Sequence, residues 1–221
     1  MSENVQLIPL KEPEVSVWGL TLHSREHICE PQQESKSHPI LKATPIEQVV
    51  GKTIWFVDSS SYYTEGTRVT GFAGICLTGN RQEGDSFQYR WAKGGIQFAE
   101  VAVVLEVLHR MKDKQMELII GTDSEYVYKG IAIYLPWWNS IGSTGTDGSD
   151  IKHKALWQQM EKLAKQYKKI RMVKIKAHKG SGPLQQGNEL ADTLAKEAAL
   201  TGTLWEPTPV AVTTRAQAKH K

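Results

Sequence analysis

The sequence predicts an α/β fold: a five-stranded mixed sheet, its first three strands antiparallel, with helices on both faces. Three observations predict it. Three β-rich runs follow one another between residues 52 and 94, joined by turn-forming residues. The apolar spacing then changes to that of a helix, with Phe98, Val101, Val104, Leu105, Leu108 and Met111 on one side. Beyond that point strand-like and helix-like segments alternate, the pattern of helices crossing over a sheet.

Residues 1–50 hold most of the prolines, and "HICEPQQESKSHP" reads as a polar linker, so this region is expected to be a tether or part of a neighbouring module. The packed domain is expected over 51–202. "TIWFVDSSS" gives its first strand, with Ile54, Trp55, Phe56 and Val57 leading into Asp58. "RVTGFAGICLTG" and "SFQYRWAKG" give two more, joined by "GNRQEGD". A helix spans 97–112, and "ELIIGTD" is a fourth, fully buried strand. "SEYVYKGIAIYL" reads as helical, and "PWWNSIGSTGTDGSD" as a protruding Gly/Ser-rich loop. An extra amphipathic helix follows, with Leu156, Met160, Leu163 and Tyr167 on one face. "KIRMVKIKAH" is the fifth strand and "KGSGPLQQGN" a loop. "ELADTLAKEAALTG" is the last helix, with Leu190, Ala191, Leu194, Ala195 and Ala198 inward and Gly202 as its stop. Residues 203–221 are expected to form a disordered tail.

The 221 residues allow one domain plus tails, or two small domains, and 40% hydrophobic with 23% charged residues is a globular composition. No stretch approaches the ~18 apolar residues of a membrane span, and the N-terminus carries no secretory signal pattern. Cys29 and Cys76 match no zinc-site spacing and suggest reduced thiols in an intracellular or virion-interior setting. The net charge of +3 is uneven: eight Lys and Arg residues lie between Lys162 and Lys179 with no acid among them. That run is either a solvated face or a patch for a phosphate backbone, with Lys174, Lys176 and Lys179 as candidate contacts. Tyr167 is its one aromatic residue, so base stacking is not its task.

Four acids occupy special positions. Asp58 lies within or just after the first strand, Glu100 in the first turn of the first helix, Asp123 at the end of the fourth strand, and Asp192 beside Leu190-Ala191 on the last helix. Singly, each has a plain structural role: a turn, a favourable charge at a helix N-terminus, a cap, an exposed helix charge. Together they point to a metal. Adjacent carboxylates repel by roughly 1–4 kcal/mol at about 4 Å, so a cluster of four raises its own pKa values or takes up a cation. Hard oxygen ligands favour Mg²⁺ or Mn²⁺ over zinc, and two such ions can drive phosphodiester displacement.

The same residues resemble a known family. Asp58 after a β run, "QFAEVAVVLEVL", "GTDSEYV" and "KAHKGSGPLQQGNELADTLAKEA" are similar, in that order, to the four signature segments of retroviral ribonuclease H domains, the C-terminal nuclease modules of reverse transcriptases. The resemblance covers about residues 52–200, and "YLPWWNSIG" with the helix after it resembles the spumaviral and gammaretroviral types. It implies the ribonuclease H-like fold, and that Asp58, Glu100, Asp123 and Asp192 ligate two Mg²⁺ ions, with Mn²⁺ as a substitute. It also implies that His178 assists proton transfer or product release from a mobile loop. Gln97 matches a position contacting the minor groove of the hybrid, and Ser124 and Tyr126 match positions touching the nucleic-acid backbone. Asn188 is expected to hold the loop in place. Ser59-Ser60 stands where many members have a glycine, and "NSIGSTGTDGSDIKHK" is less basic than the usual substrate handle.

The expected function is therefore Mg²⁺-dependent hydrolysis of the RNA strand of an RNA–DNA hybrid during reverse transcription, with a polymerase domain as partner in the same polyprotein and residues 1–50 as the tether to it. Two rivals share the fold: a non-catalytic nucleic-acid-binding scaffold, and an integrase- or transposase-type DNA-cutting core. Glu189 on the last helix keeps the second open, while the Gly-Asn-x-x-Ala-Asp context favours the nuclease.

Overall fold

The computed structural model describes residues 41–77, 83–93, 95–140, 149–176 and 182–207. In chain order the strands are β1 (Leu41–Ala43), β2 (Ile54–Thr64), β3 (Thr67–Leu77), β4 (Glu83–Arg90), β5 (Glu117–Thr122), β6 (Lys169–Lys174) and β7 (Thr203–Leu204). The helices are α1 (Ile96–Arg110), α2 (Glu125–Lys129), α3 (Leu135–Ser140), α4 (Lys154–Ala164) and α5 (Pro183–Thr201). One sheet holds all seven strands in the order β1-β6-β5-β2-β3-β4-β7. The meander β2-β3-β4 is antiparallel, and β2-β5, β5-β6, β6-β1 and β4-β7 are parallel.

The five expected strands are present as β2 to β6, and two short edge strands enlarge the sheet to seven. β1 falls within the stretch read as a tether. Leu41 is buried against β6, and Val49 is buried on the opposite face. β7 falls within the stretch read as a disordered tail, where Trp205 is only 6% exposed. The segment read as the loop "PWWNSIGSTGTDGSD" begins as helix: α2 widens into a π-helical turn at Gly130–Tyr134 and continues as α3. The last helix starts six residues earlier than Glu189, at Pro183, whose missing N–H is no loss at the first helical position. Cys76 is a free thiol, and Cys29 lies outside the described residues, as do 1–40 and 208–221. No helix among the described residues is long and apolar enough to cross a membrane.

Two cores sit on the two faces of the sheet, and β2 feeds both. Trp55 and Val57 enter the larger core under α1 and α4, while Ile54 and Phe56 enter the smaller one under α5. That alternation is the period of two of a strand buried on both sides. α5 faces the sheet with Gly187, Asn188, Ala191, Ala195, Ala198 and Ala199, and Leu190, expected inward, is 44% exposed. Small residues are required because the helix lies so close. A Cβ on Gly187 would stand 2.5 Å from the Phe56 ring, and one on Gly71 of β3 would collide with the backbone of Ala195 and Ala199.

The basic run from Lys162 divides in space. Lys169 (3.0 Å), Arg171 (2.6 Å) and Lys52 (3.4 Å) converge on Glu117 at the start of β5, and Lys165 pairs with Glu161 at 3.0 Å. Only Lys174 and Lys176 of the described members lie at the other end of the parallel strands.

Two outcomes follow. Hydrogen bonds from Arg171 and then Lys169 hold the Glu117 carboxyl at about 2, below its ordinary 4.5. A depressed acid stabilises the fold above its ordinary value, and that contribution is lost as pH falls through 2. Glu117→Gln is expected to lower Tm by about 2–4 °C at pH 7, an exposed pair being worth about 1 kcal/mol or less. The difference from the parent should close by pH 2 in a thermal melt series. Gly187→Ala, which would ordinarily strengthen a helix by ~1 kcal/mol, is expected instead to destabilise by about 1–3 kcal/mol through the clash with Phe56, read by urea unfolding.

Candidate active site

Strand register brings the first two acids together. Phe56 of β2 lies opposite Gly121 of β5 in a parallel pair. Two residues further along each chain are Asp58 and Asp123, on strands about 4.8 Å apart. Both continue the α5-facing side of their strands, since Phe56 packs into the core under α5 and a Cβ on Gly121 would meet Phe56 and Ile175. β5 ends at Thr122, so Asp123 sits where the strand leaves the sheet for α2.

α5 supplies Asp192, carried beside the fully buried Ala191, and α1 supplies Glu100 from the other face. Glu100 is the fifth residue of α1, one step beyond the first turn in which it was expected. Burial, then the neighbouring Asp123, Asp192 and Glu100 carboxylates, lift the Asp58 carboxyl from 3.8 to about 7, against the pull of the Ser59 N–H. Burial raises Glu100 as well, opposed by a hydrogen bond from Ser124 and by the Lys174 charge.

Each acid has a local partner. The Ser59 N–H donates to Asp58 Oδ1 at 2.6 Å, Asn188 Nδ2 to Asp123 Oδ2 at 3.1 Å, and Lys196 Nζ to Asp192 Oδ2 at 2.7 Å. Among the described residues no three of these groups close into a ready-made metal cage. The donor chemistry fits a hard divalent cation: the groups are carboxylate oxygens, burial and then neighbouring carboxylates put one carboxyl at about 7, and the buried Asn188 Oδ1 has no hydrogen-bond partner among the described residues. Asp58, Glu100, Asp123 and Asp192 are the residues that would hold it.

The remaining predicted residues fall as follows. Ser124 caps α2, accepting the Val127 N–H at 3.2 Å, while its hydroxyl reaches Glu100. Tyr126 is half-buried, with its ring 5.7 Å from that of Trp157. Asn188 donates to Asp123, and the loop it was expected to hold lies outside the described residues. Lys174 donates to the Asp123 carbonyl and lies 3.7 Å from Glu125. Lys176 lines a cleft with Gln185, Asn188, Glu189 and Asp192. Gln97 accepts from Lys152 at 2.5 Å. His178 and Lys179 lie outside the described residues. Two residues were missed: Lys196, whose i,i+4 spacing from Asp192 was visible in the sequence, and Lys152, whose partner is distant in the chain and gave no signal.

A mixed sheet of this order, with acids from two adjacent parallel strands and two helices at one margin, defines a protein of the ribonuclease H-like fold. The foamy viral protease-reverse transcriptase in complex with RNA/DNA hybrid has the same fold, with a TM-score of 0.64 and 20% identity over 77% of this chain and 22% of that one. The PFV RNase H domain in solution matches 67% of this chain and 94% of its own length, with a TM-score of 0.57 and 20% identity. The RNase H family model matches residues 51–200, and the chain belongs to that family. Ribonuclease H of Cupriavidus pinatubonensis is 35% identical over 96 residues, 43% of this chain and 62% of that protein. Ribonuclease H of Neorickettsia sennetsu is 30% identical over 108 residues, 49% of this chain and 68% of that protein. The chain thus spans about three fifths of the length of the first of these relatives.

An acid raised on folding destabilises the fold while charged: the penalty is complete above pH 7 and absent below about 4. Asp58→Asn is therefore expected to stabilise the metal-free protein above pH 7 by on the order of 1–3 kcal/mol. The gain should shrink as pH falls through 7 toward 4, followed by unfolding in EDTA.

Proposed function

We propose that the chain is a ribonuclease H that hydrolyses the RNA strand of an RNA–DNA hybrid with two divalent cations, Mg²⁺ or Mn²⁺, as a module of a reverse transcriptase. The single observation that carries this reading is the register that sets Asp58 beside Asp123, with Glu100 and Asp192 closing on them from two helices. Family membership supports it, as does the fold shared with a foamy viral enzyme bound to hybrid.

Bound at the four carboxylates, divalent cations supply a more acidic water and charge to offset that building on the leaving oxygen. The chain's own residues position the acids. The Ser59 N–H and Asn188 fix the carboxylates of Asp58 and Asp123, and Ser124 holds Glu100. Gln97 with Lys152 at the start of α1, and Ser124 with Tyr126 at the start of α2, flank the acids where a duplex backbone and minor groove would pass. Lys174 and Lys176, with Lys179 and His178 in the segment that follows, complete the basic edge and the proton-transfer loop of this reading. Phosphate neutralisation by these lysines makes binding weaken as salt rises. The polymerase domain, and the role of residues 1–40 in joining it, belong to the same proposal.

Asp123→Asn keeps the shape and the Asn188 neighbour but removes a charge. On a labelled RNA–DNA hybrid with Mg²⁺ it is expected to lower cleavage at least about a thousandfold, with circular dichroism unchanged. Full activity in this variant rejects the catalytic assignment, and cutting of DNA duplex in preference to hybrid by the parent rejects the substrate.

A further inference from the structure

The family match ends at residue 200, but the built structure continues. Gly202 lets the chain leave α5 directly, since a Cβ there would stand 2.5 Å from the Ala198 carbonyl oxygen. Thr203 and Leu204 then pair with Tyr89 and Arg90 as β7, and the Trp205 N–H donates to the Arg90 carbonyl at 2.9 Å. The Trp205 indole Nε1–H donates to Glu106 Oε2 on α1 at 3.2 Å, and that carboxylate also takes Arg110 at 2.9 Å. An indole 94% removed from solvent, with its one donor satisfied, is a built contact rather than a trailing end.

What the indole touches gives it a role. Its ring lies 5.5 Å from Phe72 of the sheet, 5.7 Å from Trp91 and 6.1 Å from Phe98. Phe98 stacks on Trp91 at 4.3 Å, nearly coplanar, and meets the His153 ring edge-on at 5.5 Å. Phe98 stands one residue after Gln97 and two before Glu100. This start of α1 has no side-chain cap: its N-cap is Gly95, at a positive φ of 94°, which has no side chain to accept the first-turn N–H groups. An uncapped first turn frays unless its side chains are held by tertiary packing. The deeper residues of α1 pack on the sheet; Phe98 is held by Trp91, His153 and Trp205.

We infer that Trp205 is a positioning residue. It supports the Trp91–Phe98 stack from below and so fixes the first turn of α1, setting Gln97 and Glu100 against the site. Its consequence for cleavage rests on the function proposed above; its consequence for α1 does not. The segment after α5, outside the stretch matched by the family model, is on this account a working part of the site.

The test compares Trp205→Ala, Trp205→Phe and the parent as the full chain in EDTA by amide hydrogen exchange. A control, Leu41→Ala, removes a buried side chain at the far sheet edge. Trp205→Ala is expected to speed exchange at residues 98–101 by about tenfold or more relative to residues 103–108. Trp205→Phe should restore most of that protection, and Leu41→Ala should leave the ratio unchanged. In cleavage assays Trp205→Ala should raise the Mg²⁺ concentration for half-maximal rate severalfold, with Trp205→Phe again close to the parent. If Trp205→Ala does not fold, Trp205→Leu takes its place. Unchanged exchange at 98–101, or a uniform rise along α1 matched by Leu41→Ala, overturns the inference. Selective exchange in a parent that cuts no hybrid overturns the proposed function and leaves the inference standing.

Discussion

The mutual repulsion of four carboxylates is the constraint around which this molecule is organised. Water would normally separate and screen such charges. Here the register Phe56↔Gly121 fixes two of them on neighbouring strands, and helices from both faces add the others. Burial then removes solvent, and Asp58 responds with a carboxyl at about 7. A strand cannot slip to relieve this, because a shift of one residue on β2 would exchange Trp55 and Val57 with Ile54 and Phe56 between two cores. Hydrophobic burial on both sides of one strand thus holds an arrangement that electrostatics alone would disperse.

The two helices that deliver acids are held by opposite means. α5 comes close through the absence of side chains. Gly187 and a run of alanines meet the sheet where Gly71 leaves room, and Asp192 is brought in by backbone proximity. α1 is held by bulk: its core-facing side is nearly all Val, Leu and Ala, and its uncapped start is clasped among aromatic rings. Removing volume is therefore harmful at one helix, and adding volume at the other.

Much of this was legible in the sequence, and the parts that were not share a cause. β2, β5 and α1 announce themselves because their apolar residues repeat over many positions, and the acids were found because each borders such a run. β1 and β7 have three and two residues, too few to show a period, and both owe their pairing to a partner far along the chain. Trp205 sat in a Thr- and Ala-rich stretch that reads as solvent-facing, and nothing local tells of Phe72 or Glu106. Leu190 failed the other way: an apolar residue beside apolar neighbours was read as inward, but the close approach of α5 admits only small residues. The basic run misled because charge was counted along the chain, whereas Glu117, more than fifty residues earlier, takes up two of its members.

Glu117 and Asp58 show how differently one sheet can surround two carboxyls. They lie toward opposite ends of adjacent parallel strands in the same sheet. At the start of β5 one carboxylate is met by Lys52, Lys169 and Arg171, and its carboxyl falls to about 2. At the far end the described cations near four carboxylates are Lys174, itself drawn to the Asp123 carbonyl and Glu125, Lys196, paired with Asp192, and Lys176, in the cleft beside Asp192. The carboxyl of Asp58 rises to about 7. The first cluster is complete, since the chain supplies more positive than negative charge. The second, among the described residues, has more carboxylates than cations, in a place where oxygen ligands are the chief donors. A fold that surrounds one acid with three cations leaves these four, among the described residues, with fewer cations than charges, and that imbalance is the electrostatic support for the divalent ions proposed above.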